Sequence, residues 1–223
     1  GDFKSGGRYY RAGVLALKHN KRLELEIDDT PVVELDFSSM NAAIILGLQS
    51  ENLDYDPYGF VLDRDSAKQI LLIAISSSSK AKAENSIRQA IKKGTIKNKD
   101  KASILLEKAE KHNPKLSSKF YEDFSLKSMF HESEIATDIV ATCLDLNIPI
   151  LTVHDGFLCP EGSENILSQV MYDCFCEYFD RNVDLVNISI ESKEREEKVI
   201  LTKNKKEYSG KGGRLYKDEM YAL

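Results

Sequence analysis

The sequence predicts an α+β fold: a small antiparallel sheet packed on helices, with a helical insert. Two observations carry this. Segments with strand periodicity cluster toward the two ends of the chain, and a run of helix-period segments lies between them. A length of 223 residues, 42% of them hydrophobic, suffices for one good core and a small second lobe. No internal repeat is present.

Leu23–Ile27 (LELEI) alternates strictly and reads as a strand. Asp28-Asp29-Thr30-Pro31 is turn chemistry, and Val32–Phe37 (VVELDF) follows as the second strand of a hairpin. Ser38 and Ser39 then offer cap residues to the helix MNAAIILGL. Asp36 is thereby expected at a strand's end, where a carboxylate can point into a cleft. DYDPYG is a turn, and Asp63 or Asp65 can cap a helix over Ser66–Ser79, whose four closing serines suit a bend. Lys80–Lys93 and Lys101–His112 read as helices joined through Gly94, with Asn113-Pro114 ending the second. Phe120–Leu144 holds a long helix, most clearly periodic at Ile135, Ile139 and Leu144. A strand begins at Ile148-Pro149, runs through ILTVHDGFLCP and closes at Pro160-Glu161-Gly162. Ser163 can cap the helix ENILSQVMYDCFCEYF, and strands follow at Val183–Ile190 and KVILT. Residues 206–223, with GKGGR, are expected to form a flexible tail.

Cys143, Cys159, Cys174 and Cys176 show no zinc-ribbon or CxxC spacing, which predicts reduced, intracellular usage. No apolar run approaches the roughly 18 residues of a membrane span, so a cytoplasmic protein without a membrane partner is expected. The opening GDFKSGG suggests a segment of a longer chain, with further domains or subunits outside it. Net charge is -5, yet Lys80–Lys119 holds twelve Lys/Arg against four Asp/Glu, a local +8 that leaves about -13 elsewhere. Such segregation fits either an arm that binds a polyanion or a solvated helical hairpin with Lys-rich faces.

An apolar strand has no structural use for His154 and Asp155 at its centre. A buried carboxylate there needs a cation or a strong set of hydrogen bonds. If the strands carrying Asp36 and Asp155 are neighbours, the two carboxylates repel unless a divalent ion sits between them. Hard oxygen ligands suit Mg²⁺ or Mn²⁺. Arg64 and Lys68, four apart, project from one helix face and suit a triphosphate grip, with Arg a forked donor and Lys a point charge. The bland alternatives are capping or hairpin-edge aspartates and two solvated cations beside Asp63 and Asp65.

VVELDFSSMNAAIIL resembles motif A of family A DNA polymerases and their single-subunit relatives. RDSAK resembles the start of motif B, and LTVHDGF resembles motif C. SGGRYY resembles the Gly-Arg-aromatic element upstream of motif A in short phage-type members, and HESEIATDIV the helix before motif C. The elements stand in the family's order from about Gly6 to Tyr178. The resemblance implies a palm in two parts, 1–62 and 120–205, around reduced basic helical fingers at 63–119. It implies template-primed nucleotide addition to a nucleic-acid 3′ end, with DNA synthesis favoured over RNA synthesis. Asp36 and Asp155, with the Phe37 carbonyl, would bind two Mg²⁺ or Mn²⁺ ions. Arg64 and Lys68 would hold the β- and γ-phosphates, Lys68 as proton donor to the leaving pyrophosphate. His154 would contact the primer end, Arg8 the template or primer strand, and His131 the duplex.

The chain departs from the family pattern at three positions. Where the family's motif B has Tyr then Gly, this chain has Ser76 and Ser77. Where DNA polymerases carry the Glu that screens out a ribose 2′-hydroxyl, it has Asn41. Template-directed selection and sugar preference therefore stay open. A catalytically impaired nucleic-acid-binding scaffold is the alternative. A two-metal nuclease is a further one, with Glu34, two residues from Asp36 on one strand face, as its third carboxylate.

Overall fold

The computed structural model describes residues 6–7, 13–179, 187–192 and 199–201. In chain order the elements are a 3-10 turn at Gly13–Ala16, α1 (His19–Arg22), β1 (Glu26–Ile27), β2 (Thr30–Ser38), α2 (Met40–Leu48), α3 (Arg64–Ser76), α4 (Lys80–Lys93), α5 (Ala102–His112), a 3-10 turn at Leu116–Lys119, α6 (Ser125–Asp145), β3 (Leu151–Val153), β4 (Gly156–Pro160), α7 (Glu164–Tyr178), β5 (Asn187–Ser192) and β6 (Val199–Leu201). The fold is α+β. Every strand pairing is antiparallel, in the order β3-β4-β2-β5-β6, with β1 paired to β2.

The chain forms two compact units. One comprises residues 1–6 and Asn41–His131; the other comprises Gly7–Met40 and residues 132–223. The segment 63–119, expected as a helical insert, lies inside the first unit. That unit is helical, with Ile70, Leu71, Ala74, Ile75, Ile87, Leu105, Leu106 and Ala109 buried on α3, α4 and α5.

The second unit contains the sheet. Alternation along β2 sends Val33, Leu35 and Phe37 to one face and Val32, Glu34 and Asp36 to the other. Phe157 and Cys159 of β4 share the first face by register. There the Phe37 ring meets Phe175 of α7 at 5.7 Å, and Phe175 meets Phe179 at 5.0 Å. Phe175 is fully buried, so Phe175→Ala is expected to cost about 3–5 kcal/mol, read as a shift of the urea midpoint without a change in slope. On the opposite face Val14, Val32 and Leu158 form a buried cluster, with Leu15, Leu25, Ile27, Leu151 and Val153 packed against it.

Five expectations are corrected. The single strand expected from Ile148 to Pro160 is two, β3 and β4, paired antiparallel because the chain reverses at His154-Asp155. LELEI is a strand only at its end. The Leu23 and Leu25 amides donate back to His19 O (3.3 Å) and Arg22 O (3.1 Å), so a local turn takes the backbone that alternation assigns to a ladder. The long helix begins at Ser125 and not at Phe120. The Tyr121, Asp123 and Phe124 amides go instead to Ala74 O, Ser77 O and Ile75 O at the end of α3, with Tyr121 and Asp123 at positive φ. The helix expected over Ser66–Ser79 runs Arg64–Ser76, and Ser79 caps α4 by accepting the Lys82 N–H at 3.3 Å. Ser163 occupies the N-cap position of α7 without a capping bond; the Glu164 carboxylate takes the Gly162 N–H at 2.6 Å. The fifth strand is Asn187–Ser192, while residues 183–186 and the expected tail at 206–223 lie outside the described residues.

The four cysteines are buried and form no disulfide among the described residues. Burial pushes the Cys143 thiol up to about 11 and the Cys159 and Cys174 thiols up to about 12. No helix among the described residues is long and apolar enough to cross a membrane.

Candidate active site

In the second unit, β2 and β4 are neighbours, as the paired-carboxylate reading requires. Their register puts Leu35 opposite Phe157 and Asp36 opposite Gly156. One step further, the Phe37 N–H donates to Asp155 O at 3.4 Å. A strand residue's N–H and C=O leave toward the same edge, so the Phe37 carbonyl also points toward the turn. Asp36, Phe37 and Asp155 thus share one end of the sheet. Asp36 and Asp155 are both half-buried.

His154 and Asp155 form a two-residue hairpin loop closed by the Val153–Gly156 pair. The left-handed residue of this loop is His154 (φ 59°), not Gly156, which has no positive φ. Gly156 has a different use: a Cβ there would stand 3.4 Å from Leu35 O and Val153 O and 3.5 Å from Asp36 Oδ1. The Asp36 carboxylate therefore leans over a position without a side chain, which keeps β4 from covering it. A φ near +60° is unfavourable for His and persists where surrounding structure holds it.

Glu34 shares the strand face of Asp36 but is committed elsewhere. It accepts hydrogen bonds from Arg22 Nη2 at 2.6 Å and Nε at 3.1 Å, and His19 Nδ1 lies at 3.1 Å. With its side chain only 8% exposed, Glu34 is the carboxylate of a bidentate, mostly buried ion pair. That removes it from the set a three-carboxylate site needs. Among the described residues no group of three or more His, Cys, Asp or Glu gathers that could hold a metal. Two carboxylates and a carbonyl edge are hard oxygen donors of the kind Mg²⁺ takes with few protein ligands, so these residues fit that ion.

In the first unit, Arg64 and Lys68 are exposed on one face of α3, as their spacing predicts. Between them lies Tyr58, which sequence reasoning missed: the Arg64 guanidinium sits 4.9 Å from its ring centroid and the Lys68 Nζ 5.9 Å. Its one sequence signal is an aromatic in the turn DYDPYG, six residues before Arg64. Arg64 pairs with Asp56, not with Asp63 or Asp65. Asp63 is the helix cap. It accepts from the Ser66 N–H at 3.1 Å and from the Ser66 hydroxyl, and these bonds hold its carboxyl below the usual range. A depressed folded pKa contributes stability above the unfolded value that is lost as pH falls through the folded one. In an acid titration of the thermal midpoint, Asp63→Asn should therefore remove part of the decline below about pH 4.

Asn41 Oδ1 accepts from the Ser128 hydroxyl at 2.6 Å, and the Ser76 hydroxyl donates back to Leu72 O at 2.7 Å. His131 is half-buried, with its ring edge-on to Phe130 at 5.5 Å. Arg8 lies outside the described residues.

No family model matches the chain, and no curated protein matches it. A solved structure similar to it is the POL domain of Pol1 from M. smegmatis in complex with DNA primer-template and dNTP. The match covers 71% of this chain and 39% of that one, at 14% identity and a TM-score of 0.45. A likeness at that score carries no argument about function.

Proposed function

We propose that this chain is a nucleotidyltransferase of the DNA polymerase type, adding nucleotides to a primed nucleic-acid 3′ end on a template. The observation that carries the reading is the register. Asp36 lies opposite Gly156, the Phe37 N–H donates to Asp155 O, and a two-residue turn presents His154 and Asp155 at that end of the sheet. The order of the motif-like segments along the chain supports it as well.

On this reading Asp36, Asp155 and the Phe37 carbonyl hold two divalent ions, Mg²⁺ or Mn²⁺. When bound, such ions neutralise phosphate charge and make the primer 3′-hydroxyl a better nucleophile. Arg64 and Lys68 bind the β- and γ-phosphates, and Lys68 gives a proton to the departing pyrophosphate. His154 orients the primer end, and Arg8 and His131 contact the nucleic-acid strands. Asn41 and Ser76 stand where sugar and templating-pair selection occur in the family resembled.

The test is extension of a labelled primer–template with dNTPs against NTPs, in Mg²⁺ and in Mn²⁺, with Asp155→Ala as control. Incorporation that is lost in the control supports the reading. A second reading, a nucleic-acid-binding scaffold without catalysis, is favoured by Ser76, whose hydroxyl is bonded within its own helix. Binding with no incorporation under any of these conditions would select the scaffold.

A further inference from the structure

The positive charge of the 80–119 segment is not spread evenly once its ion pairs are drawn. Lys80 pairs with Glu110, Arg88 with Glu84, Lys108 with Asp100, Lys115 with Glu51 and Lys119 with Glu122. Lys97 lies 3.7 Å from Asp63. Within 80–119, the cations without an acid partner among the described residues are Lys82, Lys92, Lys93, Lys99, Lys101 and Lys111. Four of these six fall between residues 92 and 101, where Asp100 is the sole acid and already serves Lys108. All four are exposed.

The loop that carries them is built, not loose. Gly94 (φ 77°) ends α4 in the left-handed conformation and turns the chain. Ile96 is buried to 1% exposure, so the loop is anchored by its one aliphatic residue of any size. The Lys97 N–H donates to Ser66 Oγ at 2.9 Å, and Ser66, itself fully buried, donates to the Asp63 cap. The loop is therefore fastened to the first turn of α3. Lys92 and Lys93 have a local role at the negative end of the α4 dipole. Lys99 and Lys101 do not, because they flank the positive end of α5, which has neither an acidic first turn nor a side-chain cap. Cations placed where their own helix repels them call for an external anion.

We infer that the α4–α5 loop, through Lys92, Lys93, Lys99 and Lys101, is a docking surface for the phosphate backbone of nucleic acid. A lipid surface fits less well. Interfacial segments insert apolar side chains, and here Ile96 is turned into the core. The inference extends the nucleic-acid partner of the proposed function to a surface outside the catalytic residues, and it is tested without nucleotides.

Fluorescence anisotropy of a labelled oligonucleotide duplex is measured with the full chain across 50–200 mM salt, which brackets the range where phosphate contacts weaken most visibly. The variant Lys92→Gln/Lys93→Gln/Lys99→Gln/Lys101→Gln should bind about tenfold or more weaker at low salt, with the salt slope reduced by about 3–4. Lys115→Gln/Lys119→Gln, which removes ion-paired lysines, should bind as the parent does. Equal weakening in both variants, unchanged binding in the fourfold variant, no binding by the parent, or displacement of the duplex by phosphatidylserine vesicles each overturns the inference. A matched thermal midpoint keeps the comparison among folded proteins. The same titration with Asp155→Ala separates the two readings: retained binding without incorporation keeps this surface whatever becomes of the catalytic assignment.

Discussion

Asp36→Asn and Asp155→Asn each lower Mg²⁺-dependent nucleotide incorporation by about a thousandfold or more, while circular dichroism and the thermal midpoint stay at the parent's values. The size of the loss follows from the proposed role. Groups that stabilise transition-state charge cost two to three orders of magnitude when one donor is removed, and a carboxylate that holds the ions does more than one donor. Retention of the fold follows from place. Both residues are half-buried at one end of the sheet, and Asn keeps the shape and hydrogen-bonding size of Asp. Glu34→Gln, on the same face two residues away, is the informative comparison. It should change stability and leave incorporation within a fewfold, because Glu34 answers to Arg22. Full activity in either Asp variant removes the polymerase assignment.

Arg22→Ala is expected to destabilise the chain by about 3 kcal/mol, measured by urea unfolding. Its side chain is 15% exposed and makes two bonds to a carboxylate that is itself nearly buried. Removing the Arg leaves Glu34 charged in the sheet face with only His19 beside it, and the penalty is that of an uncompensated buried ion. The double variant Arg22→Met/Glu34→Leu should recover most of the loss, since apolar residues of similar volume commonly replace a buried pair without harm. If the double variant is as unstable as the single one, the cost lies in lost packing of the Arg22 stem and not in the stranded charge.

Much of this was legible locally. The turn between β1 and β2 and the strand of Asp36 follow from alternation and turn chemistry, which act over a few residues, whereas the hairpin of Asp155 reads by apolar pattern as one continuous strand. The adjacency of β2 and β4 required strands more than a hundred residues apart to pair, and only the condition for it was readable. Glu34 illustrates the same limit: nothing near it in sequence announces that Arg22, twelve residues earlier, will claim it. Tyr121–Phe124 looked helical because periodicity says nothing about which carbonyls the amides will find, and those of α3 were closer. The left-handed residue of the motif C-like hairpin is His154, which no local sequence signal announces.

The register of β2 also has a consequence for folding fidelity. Glu34 and Asp36 share one face, and Leu35 and Phe37 the other. A slip of a single residue would exchange the two sets, driving both carboxylates against Phe175 and moving Leu35 and Phe37 off their aromatic partner. The two carboxylates, Glu34 paired with Arg22 and Asp36 proposed for chemistry, thereby act during assembly as a check on alignment. A mispaired sheet bears a penalty that the correct one avoids, so variants lacking both carboxylates should refold with more misregistered product, even where their native state is as stable as the parent's.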